Sequence, residues 1–264
     1  MNNNTYAQTQ LVASHLTMNY GTPSAHPALS DVSLQLSAGE SLAIMGPSGS
    51  GKTTLLHLLA GIMKPTGGDV LWNGNSYAKM SDAQRTKLRR SDFGFVFQSG
   101  QLLPELPAIE NAALPLMLAG VAPAEAKRRA QEWLVSLGLQ DLLNRRPGEL
   151  SGGQAQRVAI ARAMAIAPGV IFADEPTGAL DQRTGMEVMQ LLTRVAAQQS
   201  TTLIVVTHDA RVASFCSRTV TMQDGRLGDA GLASASAGAS VAEEPANGVF
   251  TAAPAGVQGK VSVR

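Results

Sequence analysis

Gly46-Pro47-Ser48-Gly49-Ser50-Gly51-Lys52-Thr53 is the stretch on which the fold turns. It fits G-x-x-x-x-G-K-[ST], a loop whose backbone N–H groups close on phosphate oxygens. Glycine permits that inward turn because it has no Cβ. The apolar run Leu42-Ala43-Ile44-Met45 precedes the loop, and a helical stretch from Thr54 to Ile62 follows it. Strand, loop and helix in that order are the context the motif requires. The helix N-terminus adds partial positive charge where phosphates would lie. Lys52 can reach the β- and γ-phosphates, and the Thr53 hydroxyl can ligate Mg²⁺. Gly46 to Thr53, with Thr54 beside them, form the expected nucleotide-binding set. Alone, the motif specifies a nucleotide and no more.

Further along, Val170-Ile171-Phe172-Ala173-Asp174-Glu175 is an apolar strand ending in two acids. Open α/β sheets bind ligands at the carboxyl ends of their strands. Asp174 is placed to hold Mg²⁺, directly or through water. Glu175 is placed to orient and polarise an attacking water. A pair of solvated acids at a strand end is the ordinary alternative, and the phosphate loop is what weighs against it.

The other apolar runs, Phe93-Gly94-Phe95-Val96-Phe97 and Leu203-Ile204-Val205-Val206, suit parallel strands covered on both faces. Earlier, Val32-Ser33-Leu34-Gln35-Leu36 alternates, and Asp69-Val70-Leu71-Trp72 runs into an Asn73-Gly74 turn. Between Gln98 and Pro168 the pattern turns mostly helical, as in Ala122 to Leu137, and reads as a helical insertion between two core strands. Arg218 to Leu227 reads as a closing hairpin turning at Asp224-Gly225. From about Gly228 to Arg264 the chain is rich in Ala, Gly, Ser and Pro without a hydrophobic period, and disorder is expected there.

Leu150-Ser151-Gly152-Gly153-Gln154 decides the family. Ser151 and Gln154 fit a capping box before a helix from about Gln154 to Ala165. A helix start needs no paired glycines, and each costs up to ~1 kcal/mol if helical. Their presence suggests close approach of a ligand, and an anion over the helix N-terminus is the natural one.

Here the sequence resembles the ABC ATPases, from about residue 10 to 227, with the motifs in family order. In that family Leu150-Ser151-Gly152-Gly153-Gln154 resembles the signature that presses on the γ-phosphate of ATP held by the opposite subunit. The resemblance implies a RecA-like P-loop NTPase core of α/β class, an N-terminal antiparallel β subdomain, and a helical subdomain inserted at about 99–167. It implies that Tyr20 stacks on adenine and that Gln98 senses Mg²⁺ and the membrane partner. It implies that Glu175 is the catalytic glutamate and His208, in Thr207-His208-Asp209, the γ-phosphate switch. Gly178-Ala179-Leu180-Asp181 matches the loop linking two active sites. Ala155 departs from the family's longer polar residue, while Gln156-Arg157 follow the pattern. The cofactors implied are ATP and Mg²⁺. The partners implied are a second copy of the chain and integral-membrane permease subunits.

The formal net charge of +1 gives no electrostatic case for nucleic acid, which is not expected as a partner. Hydrophobic residues make up 44% and charged residues 16%, and no run approaches the ~18 apolar residues of a membrane span. Met1 to Thr5 lacks a signal-peptide layout, and Cys216 is the single cysteine, so a reducing cytoplasmic setting is expected. Service to a membrane would then be peripheral, on its inner face. Each motif occurs once, and there is no room between motifs for coiled coils or zinc modules, which disfavours translation-type and DNA-acting relatives. A P-loop kinase or GTPase needs no Leu-Ser-Gly-Gly-Gln. Phe93 to Gln98, Leu102-Leu103-Pro104, Glu110-Asn111, Leu114-Pro115-Leu116 and Pro176 to Asp181 are similar to the lipoprotein-release, macrolide-export and cell-division group. Within it the expectation is an ATPase driving a permease. The alternative is a regulatory ATPase of an envelope complex that carries no substrate.

Overall fold

The computed structural model describes residues 9–21 and 27–228. The elements run β1 (Thr9–Met18), β2 (Leu29–Ser37), β3 (Ser41–Met45), α1 (Lys52–Leu59), β4 (Gly67–Trp72), β5 (Asn75–Ser76) and α2 (Asp82–Ser91). Then come β6 (Phe93–Phe97), α3 (Ala108–Leu118), α4 (Pro123–Ser136), α5 (Gly152–Met164), β7 (Val170–Asp174) and α6 (Gln182–Gln198). The last are β8 (Thr202–Thr207), α7 (Ala210–Ala213), β9 (Arg218–Gln223) and β10 (Arg226–Leu227). The expected tail lies outside the described residues, Gly228 excepted.

Two sheets result, one of four strands in the order β2-β1-β4-β5 and one of six in the order β10-β9-β3-β8-β7-β6. The first is antiparallel throughout. In the second, all pairings from β9 to β6 are parallel. The parallel strands are the continuous apolar runs, and a side-chain period of two explains why they must be apolar on both faces. Val170, Phe172, Ile204 and Val206 enter one core, with Leu55 and Leu59 of α1 and Leu11, Leu36 and Trp72 of the antiparallel sheet. Ile171, Ala173, Leu203 and Val205 enter the other, with Ala112, Leu134, Val158 and Leu192 from α3 to α6. Edge-on contacts from Trp72 to Phe93 (5.1 Å between centroids) and Phe93 to Phe172 (5.2 Å) join the two sheets.

β2 alternates as its sequence implies, with Val32, Leu34 and Leu36 buried between exposed neighbours. Both hairpins turn where expected: Asn73 and Gly74 have φ of 48° and 76°, Asp224 and Gly225 of 47° and 74°. Two consecutive left-handed residues suit the right-handed strand twist. β1 carries a feature the alternation does not reveal. His15 (φ 52°) and Asp31 (φ 56°) each interrupt their strand, so the register shifts between Ala13 and Met18. The interruptions compensate, and Leu16 and Val32 both return to the core side. The two side chains meet across the bulges, with His15 Nδ1 2.6 Å from Asp31 Oδ1.

β6 and β7 are neighbours in the sheet although residues 98–169 separate them, so the helical block is an insertion between adjacent strands. Buried Asn111 organises its entry. Its Oδ1 accepts from Leu103 N (2.7 Å), and its Nδ2 donates to the carbonyls of Leu103 (3.0 Å) and Leu106 (2.8 Å). A buried amide with its donors and acceptor satisfied fixes a turn that has no ladder of its own.

Candidate active site

The phosphate loop is shaped from behind. A Cβ on Gly46 would stand 2.1 Å from the Met222 carbonyl oxygen, and one on Gly51 would stand 2.5 Å from that of Ala28. Gly51 is also the left-handed N-cap of α1, at φ 100°. Only glycine meets both conditions. α1 opens with no side-chain cap and no acid in its first turn. The N–H groups of Lys52, Thr53 and Thr54 therefore have no intrahelical acceptor and face the loop's concavity, ready for an anion. Lys52 is 7% exposed, and its Nζ donates to the carbonyls of Gly46 and Pro47 at 2.8 Å each. Three N–H donors on an ammonium leave one for a phosphate oxygen.

The carboxyl ends of β7 and β8 bring the acids to this loop. Thr53 Oγ1 donates to Asp174 Oδ1 at 3.4 Å. Burial pushes the Asp174 carboxyl above its ordinary value; the Thr53 hydroxyl opposes the shift and the Glu175 carboxylate adds to it. Glu175 leaves the strand at φ 47°, held there by its N–H donating to the Val206 carbonyl at 2.9 Å. A left-handed non-glycine residue costs about 1–3 kcal/mol and persists only where its surroundings enforce it. The bend delivers Glu175 to His208, with Nδ1 2.8 Å from Oε1.

A cleft of about 470 Å³ results, lined by Tyr20, Ser48, Gly49, Gly51, Lys52, Thr53, Thr54 and Glu175 among others. Tyr20 is 54% exposed at its rim, its hydroxyl 3.3 Å from Thr54 Oγ1 and 3.4 Å from Met63 Sδ. More than half of the residue is thus accessible at the mouth of the cleft. Ser50 Oγ is buried beside Gly46 without a hydrogen-bond partner. Among the described residues no group of three or more His, Cys, Asp or Glu converges into a metal cage. A hydroxyl and one carboxylate are nonetheless the hard oxygen donors that suit Mg²⁺, which takes its other ligands from water and substrate phosphates.

The remaining expected residues lie beside this cleft. None of Leu150 to Gln154 lines it. Their helix begins at Gly152, two residues before the start expected from the sequence, because both glycines are helical. The capping box is present: Gln154 N–H donates to Ser151 Oγ (3.3 Å), and Ser151 N–H donates to Gln154 Oε1 (2.8 Å). The glycines also have an intrachain reason. A Cβ on Gly153 would meet Thr184 Cγ2 at 2.5 Å, and one on Gly152 would meet Leu180 Cδ2 at 2.9 Å. Asp181 caps α6 by accepting from Thr184 N–H (3.0 Å), and the Thr184 side chain, then its N–H, hold the Asp181 carboxyl below its ordinary range. Gln98 lies across Gly178, where a Cβ would stand 2.8 Å from Gln98 Nε2. The amide therefore packs on the turn after Glu175.

Two residues outside the expected set hold the site's loops. Gln156 Nε2 donates to the carbonyls of Phe97 (2.9 Å) and Pro176 (2.7 Å). Arg162 donates to the carbonyls of Gly100 (2.7 Å) and Gln101 (2.8 Å). Gln156 belongs to the Gln156-Arg157 pair that follows the family pattern, but no motif discloses that the partners of Gln156 or Arg162 are main-chain carbonyls far away in sequence.

A phosphate loop, an acid-tipped parallel strand beside it and a glutamate–histidine pair define a P-loop NTPase. The family profile described as ABC transporter matches residues 29–178, and the chain belongs to that family. It is similar to the dimeric, post-hydrolysis ATP-binding cassette MJ0796 bound to ADP and Pi, at 41% identity over 82% of this chain and 96% of that one, with a TM-score of 0.75. A dimeric structure of MJ0796 described as a bacterial ABC transporter cassette matches at 42% identity, with the same coverage and TM-score. cbiO1 from Clostridium perfringens, part of the ABC transporter complex cbiONQ, matches at 30% identity over 83% of this chain and 87% of that one, with a TM-score of 0.75. The chain is an ATP-binding ABC ATPase.

Proposed function

We propose that this ATPase powers a membrane transporter, and that two copies close head to tail on two ATP molecules. One observation carries the reading. The cleft gathers the phosphate loop, the Thr53–Asp174 pair and the Glu175–His208 pair, while Ser151 and Gly152 stand exposed outside it. A second copy would bring those groups to the open side.

In that arrangement Lys52 and the first N–H groups of α1 bind the phosphates, and Tyr20 stacks on the adenine. Thr53 and Asp174, with Gln98 reaching in on closure, would hold Mg²⁺, which neutralises charge developing on the phosphate oxygens. Glu175 orients the attacking water and takes up its proton. His208 fixes the Glu175 carboxylate and meets the γ-phosphate. Ser151 and Gly153 of the second copy donate to the same phosphates, so ATP acts as an intermolecular adhesive. Hydrolysis removes those contacts, and the dimer opens.

The unit doing this is residues 10–227, with the helical subdomain at about 99–167. The permease is of the lipoprotein-release or macrolide-export type, on the strength of the motifs from Phe93 to Leu116 and from Pro176 to Asp181. A mostly apolar groove of about 440 Å³, lined by Phe95, Leu114, Pro115 and Leu118 together with Arg90, offers its cytoplasmic helix a seat. Among the described residues no helix is long and apolar enough to cross a membrane, in keeping with peripheral attachment on the inner face.

The test is size-exclusion chromatography of Glu175→Gln with ATP. A shift to dimer is expected, and none should occur for Glu175→Gln/Lys52→Ala. A chain that stays monomeric with ATP at high concentration would overturn the sandwich. Glu175→Gln and Lys52→Ala should each lose most turnover in an ATPase assay.

A further inference from the structure

We infer that Gln156 is a positioning residue that makes the two loops of the hydrolytic site move as one with helix α5. The inference rests on the roles proposed for Gln98 and Glu175. Gln156 is 2% exposed, an amide sealed inside the protein. Both of its N–H donors go to main-chain carbonyls, Phe97 O at 2.9 Å and Pro176 O at 2.7 Å. The orientation of the amide is unambiguous, since two facing carbonyls accept only from the NH₂ end.

The positions of these acceptors matter. Phe97 is the residue before Gln98, and Pro176 is the residue after Glu175. One side chain thus holds the peptide on either side of the site, across separations of 59 and 20 residues. Gln98 and the turn after Glu175 also touch directly, because Gln98 lies over Gly178. Gln156 closes that contact from behind. It belongs to the helix whose N-terminus carries Ser151, Gly152 and Gly153, and those glycines pack on Leu180 and Thr184 of the following loop and helix. A displacement of the α5 N-terminus is therefore passed to both loops by hydrogen bonds in the interior, where loss of the amide removes the donor to Pro176 O and leaves Phe97 O with Gly100 N–H alone.

Gln156 is buried and does not line the nucleotide cleft. Its loss should lower kcat and leave ATP affinity, which is set by Lys52 and the α1 N-terminus, nearly unchanged. The variant is Gln156→Met, of similar length and without donors. We expect kcat to fall about tenfold or more while the Kd for ATP, read by nucleotide fluorescence on Glu175→Gln backgrounds, stays within about threefold. Paired with Gln98→Ala, the losses should be strongly non-additive, since both act through one loop. Gln156→Asn keeps the donors but shortens their reach, and should also lower kcat if Gln156→Met fails to fold. A folded Gln156→Met or Gln156→Asn with kcat within about twofold of the natural chain overturns the proposal. So do losses that multiply independently with Gln98→Ala. If Glu175→Gln itself retains turnover, the reading of the site fails first, and the two failures are told apart by that control.

Discussion

Asp174 sits where β7 runs out of the core, half-buried and beside a second carboxylate. Its carboxyl is raised above the ordinary value by burial. Folding therefore favours the protonated form. The stability this group contributes is fully present below the ordinary carboxyl pKa and is lost as pH rises through the raised one. At neutral pH the ionised side chain weakens the nucleotide-free fold. Asp174→Asn is expected to raise the Tm of the nucleotide-free chain by a few degrees at pH 7.5, with the gain fading toward pH 3. Calorimetry at the two pH values checks this, and a lower Tm at pH 7.5 would contradict it. The same variant should lose the extra stabilisation that Mg²⁺ and ATP give together. Cys216 marks the opposite case. Burial pushes its thiol up to about 12, so it holds almost no thiolate at neutral pH and is inert in the native state.

At the scale of elements, α5 shows how one residue type can answer two demands. Gly153 leaves the backbone open at the helix start, and it admits Thr184 of α6 at a distance no Cβ would allow. Gly153→Ala should cost about 1–3 kcal/mol through overpacking, measured by urea denaturation. Thr184→Ser in the same chain removes the clashing methyl and should recover most of the loss. A double variant as unstable as the single one would show that the clash lies elsewhere. The element also shows what a sequence discloses. β3, β6, β7 and β8 are legible because a doubly covered strand is apolar at every position. The P-loop and the α5 capping box are legible because their partners lie within a few residues. β1 was not, because the left-handed residue His15 breaks its period of two. The contacts of Gln156 and Arg162 were not, because their acceptors are carbonyls 20 to 62 residues away. The intrachain packing of Gly152 and Gly153 was hidden for the same reason.

For the molecule as a whole, two cores share one parallel sheet, and Phe172 ties the inner strands to the antiparallel layer through Phe93 and Trp72. Phe172 is fully buried. Phe172→Ala should reduce the unfolding free energy by about 3–5 kcal/mol, and the urea midpoint should fall accordingly. A loss confined to one sheet, with two separate transitions, would show that the layers fold independently. The arrangement of the last hairpin carries a further consequence. β9 lies beside β3, Met222 O backs Gly46, and Gly225 N–H donates to Ser50 O at 3.1 Å. A loop encoded near the start of the chain thus takes its working shape from residues beyond 200. While the ribosome is still making the polypeptide, the half already released has the whole phosphate loop, Gly46 to Thr53, and lacks the surface that curls it inward. Nucleotide capture is accordingly expected only once the hairpin from Arg218 to Leu227 has docked behind the loop.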